Sequence, residues 1–146
     1  MSTQSYDLDR FVEAQEPIYP RVISELAAGA KRSHWMWFVF PQIAGLGLSA
    51  MAQRYAIGSR AEAVAYLGHP VLGARLIECT QLVLAVTGKS IHTILGSPDD
   101  IKFRSSMTLF GAVSDNPIFA EAIEKYYSGE KDAATLATLE RMDVRI

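Results

Sequence analysis

The chain has 146 residues, 49% apolar and 21% charged, with a formal net charge of −2. That length can bury a self-sufficient single domain, and the balance excludes disorder and offers no basic stripe for nucleic acid. The single cysteine, Cys79, has no partner for an internal disulfide, which suits a reducing compartment.

The first residues, Met-Ser-Thr-Gln-Ser-Tyr-Asp, lack the basic start and apolar run of a secretion signal. No stretch approaches the roughly 18 apolar residues of a membrane span. A soluble, cytoplasmic domain over residues 1–146 is expected, with frayed ends at 1–6 and 141–146.

Asp7 reads as the N-cap of a first helix carrying Leu8, Phe11 and Val12. Pro17 and Pro20 separate it from a second helix, about Arg21 to Ala28, which Gly29 ends. Next comes Ser33-His-Trp-Met-Trp-Phe-Val-Phe-Pro-Gln42, holding both tryptophans and two of the six phenylalanines within residues 35–40. Such a run is buried or covers a pocket. Its propensity suits a strand, but no other segment offers a strand partner and an isolated strand leaves its backbone unpaired. A short buried helix ending before Pro41 is therefore predicted.

Ile43–Leu48 reads as loop, and Ser49 as the cap of a helix bearing Met51, Ala52, Tyr55 and Ala56. Ser59-Arg-Ala-Glu62 matches a reciprocal capping box, opening a helix with Val64, Ala65 and Leu67 that stops at Gly68. Pro70 then occupies a first helical position. Leu72, Leu76, Cys79, Val83 and Val86 form the buried stripe of the longest helix, about Val71 to Val86. Arg75 and Glu78, one turn apart on it, are placed to pair.

Ser90 caps a short helix closed by Gly96, and Ser97-Pro-Asp-Asp100 combines a cap, a first-turn proline and two carboxylates at the positive helix end. The helix that follows reaches about Val113. Its apolar arc of Phe103, Met107, Leu109, Phe110 and Val113 encloses Ser106, with Arg104, Ser105 and Thr108 on the other side. Ser106 should bond to a carbonyl of the preceding turn or face a polar group across the core. Asn116-Pro117 opens a helix with Phe119, Ile123 and Tyr126 that Gly129 ends, and Asp132 caps a last one through Leu136 and Leu139. The total is about eight or nine helices in an all-α, multihelical domain, with the aromatic run at its centre and Leu72–Val86 and Phe103–Val113 as its neighbours.

Several of these segments match a known pattern: Asp9-Arg-Phe-Val-Glu-Ala-Gln-Glu16, Lys31-Arg-Ser-His-Trp-Met-Trp-Phe-Val-Phe-Pro-Gln42, Gly45-Leu-Gly47, His69-Pro-Val-Leu-Gly-Ala-Arg-Leu76, Asp99-Asp-Ile-Lys102 and Ser105-Ser-Met-Thr-Leu-Phe110. Over nearly its whole length the chain resembles a bacterial domain-of-unknown-function family, sometimes labelled calpastatin in automatic annotation. The resemblance implies a small multihelical fold with superhelix-like packing and no established activity. The calpastatin name implies disordered, charged inhibitor repeats, which this apolar chain lacks.

The three histidines, His34, His69 and His92, are far apart and no Cys/His pair has metal-ligand spacing, so neither a metal nor a cofactor is called for. His69 suits a cap for the helix begun by Pro70, and His92 a surface position. Cys79, on an apolar stripe, reads as an inert core thiol. Gly-x-Ser-x-Gly and phosphate-loop motifs are absent.

The remaining polar and aromatic material gathers around the run and the start of the Asp99–Thr108 segment. His34, Trp35, Trp37 and Gln42 offer a stacking face and hydrogen bonds. Lys102 or Arg104 would hold an anion, and Lys31 and Arg32 have the same capacity. Ser105, Ser106 and Thr108 add polar contacts, while Asp99, Asp100 and His34 offer acid–base capacity. That inventory suits a small polar or nucleotide-like ligand, with cleavage of a glycosidic bond as the chemistry the carboxylates would allow. The alternative is a non-catalytic module that receives a protein partner in a groove between helices. No nucleic-acid or membrane partner is expected.

Overall fold

Ten helices make up the regular structure of residues 6–144, the residues described by the computed structural model. They are α1 (Asp9–Gln15), α2 (Tyr19–Ala27), α3 (Met36–Val39), α4 (Ala50–Arg54), α5 (Arg60–Gly68), α6 (Leu72–Ala85), α7 (Ile91–Leu95), α8 (Asp99–Ala112), α9 (Ile118–Tyr127) and α10 (Ala133–Val144). The count exceeds the eight or nine expected, and the three shortest, α3, α4 and α7, are single turns of four or five residues. The fold is all-α. Among the described residues the only β-type pairing is an isolated bridge between Ile43 and Ile57. Residues 141–144 lie in α10. The other residues expected to fray, 1–5 and 145–146, lie outside the described residues.

Side-chain caps start many of these helices where the sequence placed them. Ser49, Ser59 and Ser90 accept hydrogen bonds from the backbone N–H three residues on, at 3.1 Å each. Asp132 accepts from Thr135 N–H, and His69 Nδ1 accepts from the N–H groups of Val71 and Leu72. Such bonds satisfy donors that the helix itself leaves orphaned. The Ser59–Glu62 box closes differently from the reciprocal form, because Glu62 Oε1 accepts from Gly58 N–H rather than from Ser59. Asp7 does not cap α1, whose N-cap is Leu8 with no side-chain bond. Ser97 does not cap α8 either: Pro98 holds the N-cap position, leaving Asp99 and Asp100 in the first turn.

The two 14-residue helices carry the packing. Helix α6 contacts α2, α3, α5 and α9, and α8 contacts α5, α7, α9 and α10. Leu72, Leu76, Cys79 and Val83 are buried as the stripe requires. On α8 neighbours cover both sides of the helix, so Ser105, Ser106 and Thr108 are buried along with Phe103, Met107, Leu109 and Phe110 of the apolar arc. Helix α5 turns Ala63 and Tyr66 inward and leaves Val64 exposed, because the Tyr66 ring packs edge-on against Phe11 and tilted against Phe110. Gly73 sits where α6 crosses the end of α5: a Cβ there would lie 2.1 Å from the Leu67 carbonyl oxygen.

Two strings of rings run through the interior. One links Phe38, Tyr55, Phe11, Tyr66, Phe110 and Phe119, and the other links Trp35, Phe40 and Phe103. The aromatic run feeds both, as one helical turn with Trp35 at its N-cap and Phe40 at its C-cap. Trp35, Met36, Phe38, Val39 and Phe40 are buried, while Trp37 is half-buried. The run ends at the Ile43–Ile57 bridge, where Ile57 N–H donates to Gln42 and Ala44 N–H donates to Ile57.

Candidate functional site

Helix α2 carries Val22, Glu25 and Leu26 on its buried face. A carboxylate on a core stripe must find donors, or its desolvation is destabilising. Glu25 finds four. Its Oε1 accepts from the N–H groups of Arg32 (2.9 Å) and Ser33 (3.1 Å) and from Trp35 Nε1–H (2.9 Å), and its Oε2 accepts from Ser33 Oγ (2.6 Å). Burial alone would raise its pKa; the bonds from the Ser33 hydroxyl, Arg32 N–H, Trp35 and Ser33 N–H outweigh that and hold the carboxyl at about 2. Residues 32–35 are thereby tied to α2. Lys31 N–H donates to Ile94 at the other side, which brings the segment against α7.

Between this segment and the start of α8 lies a cleft of about 340 Å³, lined by residues of 31–37 and 95–102. Lys31 Nζ lies 2.7 Å from Asp99 Oδ2, and Lys102 Nζ lies 3.8 Å from Asp99 Oδ1. The Lys31 side chain is only 6% exposed, and those of Asp99 and Lys102 are 18% and 22% exposed. Each ammonium also sits over an indole, Lys31 at 4.9 Å from the Trp35 ring centroid and Lys102 at 5.0 Å from that of Trp37. Arg32 adds a third cation and His34 an imidazole to the lining, against the single carboxylate of Asp99. Leu95, Met36 and Pro98 supply the apolar part. The arrangement is a half-buried positive cleft with an aromatic wall, suited to an oxyanion attached to a planar group.

Of the residues singled out in the sequence, His34, Trp37, Asp99 and Lys102 meet in this cleft, joined by Lys31 and Arg32. Trp35 lies behind it, its indole N–H held by Glu25. The rest are elsewhere. Gln42 is half-buried beside the Ile43–Ile57 bridge and does not line the cleft. Asp100 turns to His92 Nδ1 at 3.2 Å and accepts from Ile101 N–H, so the two carboxylates form no dyad. Arg104 reaches Glu130 and the Lys131 carbonyl and stacks over Tyr127, tying α8 to the loop before α10.

Ser105 Oγ donates to the Ile101 carbonyl at 3.3 Å. Thr108 Oγ1 accepts from Asp132 N–H at 2.9 Å. Ser106 Oγ is buried with no hydrogen-bond partner among the described residues, which corrects both alternatives drawn for it. Arg75 and Glu78 do not pair with each other: Arg75 bonds Glu16 at 2.7 Å, and Glu78 accepts from Tyr19 Oη at 2.5 Å. Burial pushes the Cys79 thiol up to about 12, the condition of an inert thiol.

Glu25 is the important residue that sequence reading passed over. Its signal was present, since a charged side chain at i+3 from Val22 and next to Leu26 interrupts an otherwise apolar face. Among the described residues no group of three or more His, Cys, Asp or Glu converges as metal ligands would, and no helix is long and apolar enough to cross a membrane.

No curated protein matches the chain. Among solved structures it is similar to the crystal structure of the conserved hypothetical protein Rv1873 from Mycobacterium tuberculosis. The two are 56% identical with a TM-score of 0.92, over 92% of this chain and 97% of that one. A family profile described as protein of unknown function (DUF1810) matches residues 5–139, and on that match the chain belongs to the DUF1810 family.

Proposed function

We propose that the protein binds a small ligand joining an oxyanion to a planar ring, nucleotide-like in its chemistry, in the cleft between residues 31–37 and 95–102. The observation that carries this reading is the convergence of Lys31 and Lys102 on Asp99 with Trp37 beside them. Three half-buried charges beside an open space are costly to hold unless something in that space uses them. The ligand's oxyanion would take the positive charge that Asp99 leaves uncompensated, and its ring would stack on Trp37. Asp99 would accept a hydrogen bond from a ligand hydroxyl.

Glycosidic cleavage is less well supported than binding. That chemistry ordinarily uses two carboxylates flanking the bond, and of Asp99 and Asp100 only Asp99 lines the cleft. A protein-binding groove is also less well supported, because the exposed large apolar residues Leu48, Val64, Ile101 and Leu136 are scattered over the loop before α4, α5, α8 and α10.

Isothermal titration with AMP, ADP and ADP-ribose tests the reading. At least one should bind, and Trp37→Ala and Lys102→Met should each weaken it by about tenfold or more, the loss of one stacking or charge contact. Absence of binding by all three at millimolar concentration, or unchanged affinity in both variants, would overturn it.

A further inference from the structure

A second cavity, of about 400 Å³, lies on the other side of the Arg32–His34 segment. Its lining comes from α1, α2 and the aromatic run: Ala14, Ile18, Trp35 and Phe38 with Arg21, Arg32, Ser33 and His34. No carboxylate is among them. Arg10, Arg54, Arg60, Arg75, Arg104 and Arg141 are all engaged by a carboxylate, an oxygen acceptor or a ring. Among the described residues Arg21 and Arg32 are the two arginines whose guanidinium groups have no hydrogen bond, ion pair or ring contact, and both line this one cavity. His34 is likewise the one described histidine with an unengaged ring, since His69 caps α6 and His92 meets Asp100.

A guanidinium presents a planar fork of donors matched to a carboxylate or phosphate. Two such forks without partners, over a floor of Ile18, Phe38 and Ala14, make a site with a charged rim and an apolar base. We propose that this cavity is a second ligand site, taking an oxyanion carried on an apolar aryl or alkyl body; it shares Arg32, Ser33 and His34 with the Trp37 cleft and differs from it in Arg21 and the apolar floor. Ser33 and the backbone of Arg32 are fixed by Glu25, so the wall between the two sites is held in place before either is occupied.

Arg21 lines only the second cavity and Lys102 only the first, which lets variants separate the two. The probes are phenyl phosphate and 3-phenylpropionate, with inorganic phosphate and phenol as controls, followed by NMR titration of the full chain. At least one of the two amphiphilic anions should bind, with both controls about tenfold weaker, because each control lacks one half of the recognition. Arg21→Gln should weaken that binding by about tenfold, while Lys102→Met leaves it unchanged. Since the exposed Arg21 side chain makes no hydrogen bond, ion pair or ring contact among the described residues, Arg21→Gln should keep the parent melting temperature, and a Kd equal to the parent's would overturn the proposal. It would also be overturned if neither anion bound at millimolar concentration, or if Lys102→Met cost as much affinity as Arg21→Gln, which would place the ligand in the Trp37 cleft.

Discussion

Arg10 and Lys31 are both basic residues drawn partly into the interior, and their surroundings differ. Around Arg10, Nε donates to the Arg54 carbonyl and Nη2 to the Ala56 carbonyl, each at 2.8 Å, while Nη1 donates to the Asp7 carbonyl. Nη2 also meets Glu62 Oε2 at 3.2 Å, and Glu62 Oε1 accepts from Gly58 N–H at 2.7 Å. Charge and hydrogen-bonding capacity are matched within the protein, and the cluster ties α1 to the segment between α4 and α5. Lys31 also has partners, the Ser33 carbonyl at 2.6 Å and Asp99 at 2.7 Å. Yet Asp99 is shared with Lys102, Arg32 stands nearby, and the whole group borders a cleft. The first cluster completes itself. The second holds surplus positive charge toward an open space, the feature on which the proposed ligand site rests.

Arg10→Met should break the comparison on the structural side with the largest effect. It leaves Glu62 without its cation and the Arg54, Ala56 and Asp7 carbonyls without this donor, a loss of about 3 kcal/mol in chemical denaturation. Binding of a nucleotide to the folded fraction should stay at the parent value.

Glu25→Gln places an amide N–H₂ among donors that need an acceptor, and should cost roughly 2–3 kcal/mol. The sign of its pH dependence follows from a native pKa of about 2 set against an ordinary 4.5. Because the folded state depresses this pKa, the stabilisation is fully present above about pH 4.5 and is lost as the pH falls toward about 2. Parent and Glu25→Gln should therefore differ most at neutral pH and converge across that window in acid-unfolding curves. A constant difference through it would refute the role given to Glu25.

Asp99→Asn sharpens the other side. Removing the carboxylate leaves the nearly enclosed Lys31 ammonium without its anion and should cost about 1–2 kcal/mol at neutral pH. Pyrophosphate should then raise the melting temperature of Asp99→Asn more than that of the parent, since it meets two ammonium groups with no competing carboxylate. The smallest stability effect belongs to Lys102→Met: under about 1 kcal/mol, because its partner keeps Lys31.

Much of the chain was legible because local rules decided it. The serine caps at 49, 59 and 90, the Asp132 cap and the α6 stripe each depend on residues within a few positions of one another. The helical form of the aromatic run followed from the absence of a strand partner. The candidate site was legible only in part, because its cleft is assembled from two separated segments. His34, Trp37, Asp99 and Lys102 were named together from composition, but the same reasoning swept in Arg104 and Thr108 from further along α8.

Helix geometry explains that miss. At about 100° per residue Arg104 points some 200° around the helix from Lys102, and at 1.5 Å per residue Thr108 lies roughly 9 Å further along its axis. Ser106 and Glu25 failed to read correctly for a related reason. Whether a polar atom on a core face finds donors depends on what the fold brings across from it, and here Glu25 meets four while Ser106 meets none among the described residues.

The two indole N–H resonances in a nitrogen–proton correlation spectrum test the central claim most directly, because Trp37 borders the charged cleft while the Trp35 indole N–H is held by Glu25. Titration with whichever of AMP, ADP and ADP-ribose binds most tightly should move the Trp37 indole signal in a saturable way and leave the Trp35 signal nearly still. A Trp37 signal that does not move, or one that moves equally in Lys102→Met, would contradict a ligand site beside Lys31, Asp99 and Lys102.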